Sequence, residues 1–264
     1  MSTALDQMLV LDLTQFELGP SCTGLLAFLG AEVIKIEHPA RGDMGRALAA
    51  NRPGEDGDNF MRLNANKKSL TLNLTSPRGR ELFCKMVVQA DVVVENFSPG
   101  VMERLGLGYE VLQEVNPMII YATVTGFGTY APDREDKSFD LIAQATGGVC
   151  SATGAAEEPS LKPGPTLGDT GSGIHTAAGI LAAYIDRMTH GHGQKVEDSR
   201  QDIVDVEHPE AGKFALPVCP VQLSESPVQV KPAPLLGEHN AEIYNKLLGL
   251  TAADLHALRQ TGDI

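Results

Sequence analysis

The feature that most constrains this chain is an alternation of short apolar runs with helical stretches, starting at residue 8. MLVLDL (8–13) is a compact run rich in Leu and Val, the pattern of a strand buried on both faces. GPSCTGLLAFLG (19–30) gives a turn, a Ser/Thr helix start, an apolar helix and a terminal glycine. EVIKIE (32–37) is a second strand, so strand, helix and strand fit within about thirty residues, the span of a βαβ unit. The unit repeats. KSLTLNL (68–74) predicts a strand, and TSPRGRELFCKMVVQA (75–90) a helix capped by Thr or Ser with Pro near its first turn. DVVVENF (91–97) and MIIYATVTGF (118–127) predict further strands, with helical spacing in PGVMERLGLGYEVLQEVNP between them. Such alternation predicts a largely parallel sheet covered on both faces, with ligands bound beyond the carboxyl ends of the strands.

Farther along, FDLIAQATGG (139–148) predicts a short helix with a glycine stop, 153–165 a loop, and 170–188 a longer helix. HGHGQKVEDSRQDIVDVEHPEAGK is polar and strongly charged, with three His within 190–208. A strand-like FALPVCPVQLS, a Pro-rich loop and a helical stretch over 238–259 complete the sequence. There is no solenoid repeat and no low-complexity tract.

Composition narrows the function. The 264 residues suffice for a sizeable core, but there is no Trp and only 5% aromatics, so packing rests on Leu, Ile, Val, Ala and Met. A formal charge of −13 argues against a general nucleic-acid binder, which needs clustered Lys and Arg. A phosphorylated small ligand remains compatible, since it answers to local cations. Four widely spaced cysteines, with no CxxC, predict reduced thiols in a cytoplasmic protein rather than a disulfide framework or zinc site. The stretch MSTALDQMLVLDL has no basic region before an apolar run, so no signal peptide is expected, and no segment is long and apolar enough for a membrane span.

Several familiar sites are absent. QFELGPSCTG, after the first strand, is not GxGxxG, which argues against a nicotinamide dehydrogenase. There is no GxxxxGK[ST], and GDTGSG displaces its serine from the centre of a GxSxG elbow. HGH (190–192) sits in a charged turn with no partnered carboxylate pattern, so no metal is expected. The remaining candidate is Asp169, in LGDTGSGIHTAAGILAAY (167–184). Directly before a helix it would cap free backbone N–H groups, and the helix terminus would keep it ionised. Flanking glycines would also let a substrate approach, and an ionised, accessible carboxylate can attack an activated acyl group. Both roles stand.

Taken together, several stretches resemble the family III CoA-transferases, the group of the formyl-CoA:oxalate, carnitine and bile-acid CoA-transferases. They are VLDLTQFELGPSCTGLLAFLGAEVIKIEHPARGDMGR, NANKKSLTLNL, ADVVVENFSPGVMERLGLGYEVL, NPMIIYATVTGFG, FDLIAQATGG, PTLGDTGSGIHTAAGILAA, HGHGQKV, VEHPEAGKF and PAPLLGEHNAEIYNKLLGL, in order along nearly the whole chain. The resemblance implies an α/β fold: a Rossmann-like open, mostly parallel sheet with helices on both faces. Residues 1–200 would form a large CoA-binding domain, and a C-terminal linker and helical segment, 201–264, would return to complete it. It implies a CoA-transferase acting on an acyl-CoA and a carboxylic acid, with coenzyme A as substrate and neither metal nor redox cofactor. Asp169 falls on the family's nucleophile, passing through aspartyl anhydride and aspartyl-CoA thioester intermediates, with Glu17 beside it and glycine N–H groups steadying oxyanions. Phe16, Leu18, His38, Lys68, Leu72, Asn96, Phe97, Arg104 and Lys137 would bind CoA, with Arg104 and Lys137 as cations for its phosphates. An interlocked homodimer is also implied.

Three departures stand out. Glu17 replaces a glutamine, which bears on orientation or substrate charge, and His38 replaces an arginine that would stack on adenine. GQKVEDSRQDIV runs almost directly into VDVEHPEAGK, so the family's small domain is missing near 200–206. Either an internal stretch is omitted or the chain is a reduced or engineered form. Two other functions are compatible with the same fold. An α-methylacyl-CoA racemase would need a histidine where Phe139 precedes Asp140. A non-catalytic CoA-binding subunit is suggested by the missing domain and opposed by the retained Asp169.

Overall fold

A computed structural model describes residues 2–48, 55–129, 132–198, 203–217 and 219–264. In chain order they form β1 (Leu9–Asp12), α1 (Leu18–Phe28), β2 (Glu32–Glu37), a 3-10 turn (Met44–Ala47), α2 (Asp58–Leu63) and β3 (Lys68–Thr71). Then come α3 (Pro77–Val87), β4 (Val92–Glu95), α4 (Val101–Arg104), α5 (Tyr109–Val115), β5 (Ile120–Val124), α6 (Asp140–Thr146), α7 (Leu167–His190) and β6 (Lys195–Asp198). The remainder are β7 (Ile203–His208), β8 (Gly212–Pro217), β9 (Val221–Leu223), α8 (Asn240–Leu248) and α9 (Ala252–Thr261).

The chain divides into two compact units. The first, Met1–Asp202 with Cys219–Pro227, is built on a seven-stranded sheet in the order β3-β2-β1-β4-β5-β6-β9. The first six are parallel and β9 pairs antiparallel with β6. Strands β1 and β4, adjacent in the sheet but not in sequence, mark the point where the winding reverses, and doubly wound sheets open a ligand crevice there.

Side chains alternate between two apolar layers, as a sheet covered on both faces requires. Val10, Val92, Val94, Ile120 and Ala122 pack with Leu26 of α1 and Ala177 and Ile180 of α7. Leu11, Val93 and Tyr121 face the other way, against Phe83 and Val87 of α3 and Leu112 of α5. The α3 start matches its sequence pattern: Pro77 opens the helix and the Ser76 hydroxyl accepts from Gly79 N at 3.0 Å.

The second unit holds Ile203–Val218 and Val228–Ile264. In it β7 and β8 form an antiparallel hairpin, with His208 opposite Gly212. Helix α9 opens with a reciprocal capping box between Thr251 and Asp254. No residue of α8 is buried.

Several expectations shift. The longer helix begins at Leu167, three residues before the expected 170, which puts Asp169 inside its first turn. The 238–259 stretch is two helices separated at Gly249. FALPVCPVQLS divides into β8 and β9, which belong to different units. Helix α2 and the 3-10 turn had no sequence signal. Residues 200–202 of the expected 200–206 junction lie outside the described residues.

Candidate active site

The carboxyl ends of β1 to β6 surround one cavity of about 710 Å3, within the size range of cofactor-sized pockets. Each strand contributes the residues that follow it: Gln15 to Leu18 after β1, His38 and Arg41 after β2, Leu72 and Thr75 after β3. Asn96 to Pro99 follow β4, Thr125 and Gly126 follow β5, and Asp198 ends β6. Arg134, Lys137 and Phe139, from the segment before α6, and Gly168, Asp169 and Ser172 of α7 close the wall.

The crevice between β1 and β4 is held at fixed width by one side chain. Asn96 accepts from Gln15 N at 2.8 Å through Oδ1 and donates to Gln15 O at 2.9 Å through Nδ2. The next residue, Phe16, has a φ of 65°, a left-handed conformation uncommon outside glycine. Its N–H donates to Asp43 Oδ1 at 3.1 Å, and Gly45 N donates to the same oxygen at 2.7 Å. Asp43 is in turn paired with buried Lys35 at 2.8 Å, whose Nζ also donates to Thr14 O. Such strain persists where surroundings over-determine it, often at functional sites. The Phe16 ring meets Phe139 edge-on, with centroids 5.7 Å apart.

Beneath the cavity, Asp12 at the end of β1 is fully buried. It accepts from Thr14 N, Thr14 Oγ1 and Thr23 Oγ1, and pairs with Lys67 at 3.0 Å. Burial pushes its carboxyl up, but Lys35, Lys67 and the two hydroxyls outweigh that and hold it far below the usual carboxylate range.

Asp169 sits on the third residue of α7, against α6 and the start of α1. Gly168 makes this approach possible: a Cβ there would lie 2.8 Å from Ala143 Cβ. Its N–H donates to Asp140 Oδ1 at 2.9 Å, and Asp140 also receives Gln144 Nε2 and pairs with Lys162 at 2.9 Å. On the other side Glu17, the residue before α1, does not cap its own helix. Its carboxylate instead accepts from Thr166 Oγ1, from Thr170 Oγ1 at 3.3 Å and from Asn59 Nδ2 at 3.3 Å. Among the described residues, no group donates a hydrogen bond to the Asp169 carboxylate itself.

Two expectations for this turn are corrected. Asp169 does not cap the helix, and the helix terminus does not hold its carboxyl low. Burial, with Glu17 and Asp140 adding repulsion and Lys162 opposing, raises it to about 6. Nor is the Gly168 N–H free for an oxyanion, because Asp140 occupies it.

Phe16, Glu17, Leu18, His38, Leu72, Asn96, Phe97, Lys137 and Asp169 all line the cavity. Lys68 and Arg104 do not. Lys68 opens β3, at the end opposite the cavity, and pairs with Glu32 at 2.5 Å. Arg104 ends α4 and is exposed. Arg41 and Arg134 line the cavity and were missed; HPAR, directly after the second strand, carried the signal for the first. Gln15 and Thr125 were missed too, and each presents a buried side-chain oxygen, Oε1 and Oγ1, without a protein partner. His190 also departs from expectation, since it has a carboxylate partner in Asp186 at 2.7 Å. Even so, among the described residues no group of three or more His, Cys, Asp or Glu could hold a metal ion, and no helix is long and apolar enough to cross a membrane.

This arrangement has known counterparts. The chain is 43% identical over 202 residues to a formyl-CoA:oxalate CoA-transferase of Rhodopseudomonas palustris (strain BisA53), covering 76% of this chain and 47% of that protein. It is 44% identical over 201 residues to the protein of that name in Streptomyces coelicolor, covering 76% and 48%. The chain thus spans about half the length of the curated relatives it matches. Among solved structures it resembles a CAIB/BAIF family protein from Brucella suis, at a TM-score of 0.70 and 36% identity over 74% of this chain and 52% of that one. Rv3272 from M. tuberculosis is similar at a TM-score of 0.70 and 35% identity, covering 75% and 55%. The model of the CoA-transferase family III matches residues 5–200, which contain the cavity wall from β1 through Asp198, and the chain belongs to that family.

Proposed function

We propose that this chain moves coenzyme A from an acyl-CoA thioester to a carboxylic acid, with Asp169 as the nucleophile. One observation carries the reading: a half-buried carboxylate with no hydrogen-bond donor among the described residues, in the wall of a cofactor-sized cavity. The names of the curated relatives, which pair formyl-CoA with oxalate, support the reaction class. Arg41, Arg134 and Lys137 supply cations for the phosphates of CoA, with His38 beside them in the wall. Gln15 Oε1 and Thr125 Oγ1 supply acceptors for the amide N–H groups of its pantetheine arm.

An Asp169 oxygen attacks the thioester carbonyl carbon and the C–S bond breaks, leaving an acyl–aspartyl anhydride and CoA thiolate. The thiolate attacks the aspartyl carbonyl, expelling the first acid and leaving an aspartyl-CoA thioester. The acceptor carboxylate attacks that thioester, releasing thiolate and forming a second anhydride. Thiolate then takes the acceptor's acyl carbon and Asp169 is restored. Burial favours the first attack, since a carboxylate stripped of water and raised towards neutrality is a stronger nucleophile.

The same reading holds residues 1–200 as the CoA-binding domain, with 201–264 completing it. Pairing of β9 with β6 supports that return. A homodimer in the cytoplasm belongs to the reading as well; the unpaired thiols Cys22, Cys84, Cys150 and Cys219 are consistent with a reducing compartment.

The test is to incubate the protein with acyl-CoA, trap with hydroxylamine and map the modified peptide by mass spectrometry. Modification at Asp169, with transfer abolished in a folded Asp169→Ala protein, is the expected result. An unmodified Asp169 in protein that still binds acyl-CoA would instead favour a non-catalytic CoA-binding subunit.

A further inference from the structure

The donors in the two carboxylate clusters that flank Asp169 are all committed. Thr166 Oγ1, Thr170 Oγ1 and Asn59 Nδ2 serve Glu17. Gly168 N–H, Gln144 Nε2 and Lys162 Nζ serve Asp140. An acid that brings one carboxylate up to the reacting group therefore meets two fixed carboxylates and no unspent donor in these two clusters. The Asp140 charge is balanced by Lys162 at 2.9 Å. Glu17 differs: its three partners are neutral, so its charge stays uncompensated within its own hydrogen-bond shell. Phe16 and Phe139, stacked edge-on at 5.7 Å, line the cavity beside it. Aromatic surface next to an uncompensated anion suits an uncharged group and repels a second anion.

We propose that Glu17 makes the acid-accepting end of this cavity selective for monocarboxylic acids with an uncharged remainder, against acids that carry a second carboxylate. The proposal rests on the transfer reading for its chemistry, not for its geometry. A like charge within about 4–6 Å at an effective dielectric of about 20 lowers affinity by about two orders of magnitude.

Butyrate and succinate, matched in chain length, are the probes, used with the full chain and one acyl-CoA donor. The wild type should turn over butyrate with a kcat/KM about ten- to a hundredfold above succinate. Glu17→Gln should bring the two within about threefold, and Glu17→Asp should retain the preference. Succinate at or above butyrate in the wild type overturns the proposal, as does an unchanged ratio in Glu17→Gln. Should that variant fail to fold, the wild-type ratio alone decides. If neither acid is turned over, the transfer reading fails by itself. The same pair is then compared by NMR-detected binding, where equal affinity in the wild type sinks the selectivity and a butyrate preference lost in Glu17→Gln upholds it.

Discussion

Asp169 carries opposing demands. Burial, then Glu17 and Asp140, lift its carboxyl from 3.8 to about 6. The proposed transfer needs the anion, so kcat/KM should fall about tenfold per pH unit below about 6, a limb visible in a pH–rate profile. The stability effect has the opposite sense. Between the unfolded value near 4 and the folded value near 6 the folded chain binds the extra proton. Stability from this group is therefore lost as pH rises through that window. Asp169→Asn should accordingly raise stability at pH 7 by about 1–2 kcal/mol after solvent screening, with no gain at pH 4, while abolishing transfer; thermal melts at the two pH values check it. Glu95 behaves alike away from the reacting group. Burial pushes it to about 7, despite hydrogen bonds from Thr123, Phe97 N and Tyr121. Glu95→Gln should flatten the decline in stability between about pH 4.5 and pH 7, read from denaturant midpoints at a series of pH values. Asp169 was legible in the sequence because it stands among glycines before an apolar helix. Its titration was not, because the burial that chiefly shifts it comes from tertiary packing, and the charge that adds to it, Glu17, is held by Thr166 and Thr170, 149 and 153 positions away.

At the scale of elements, the alignment of Glu17 with Asp169 depends on how closely α1 approaches α7. Gly173 sets that distance, since a Cβ there would lie 2.7 Å from Leu18 O and 2.8 Å from Ser21 Cβ. Gly173→Val should force the helices apart, costing about 1–3 kcal/mol and lowering transfer more than stability alone would explain, measured by melting and by kcat/KM. Strand β1 offers a second test. Asp12→Ala strips Lys67 of its buried partner and should cost about 3–5 kcal/mol in denaturant unfolding, whereas the Lys67→Met, Asp12→Leu double variant should cost less. Strands β1, β4 and β5 were the most legible part of the fold, because burial on both faces writes them as apolar runs, whereas β6, Lys195–Asp198, reads as charged and was missed. Short α2 and the 3-10 turn leave too few residues for a period to show. Lys68 was misplaced because belonging to a strand says nothing about which end of it reaches the ligand, and Lys68 opens its strand on the far side.

For the whole molecule, the order β3-β2-β1-β4-β5-β6 brings six loops to one edge; the alternation of strands and helices was enough to expect the first five, while β6 lies in a stretch that reads only as polar and charged. The second unit was not anticipated, since a charged stretch masks the period-two pattern of β7 and β8. The two units also differ in how they are held. Strands β1, β4 and β5 are buried throughout their centres, whereas α8 buries nothing and α9 only Leu255. Amide exchange should therefore reach the global unfolding limit in β1, β4 and β5, and run at least about a hundredfold faster in α8 and α9. The seam between Glu17 and the Thr166–Thr170 turn has a consequence for synthesis. It joins the first helix of the sheet unit to its last, so a growing chain holds no organised setting for Asp169, the proposed nucleophile, until most of that unit has emerged. Contacts that distant close late. On refolding, reactivity at Asp169 should return after the far-ultraviolet dichroism of the helices, so that a chain still exposing its core cannot capture an acyl group.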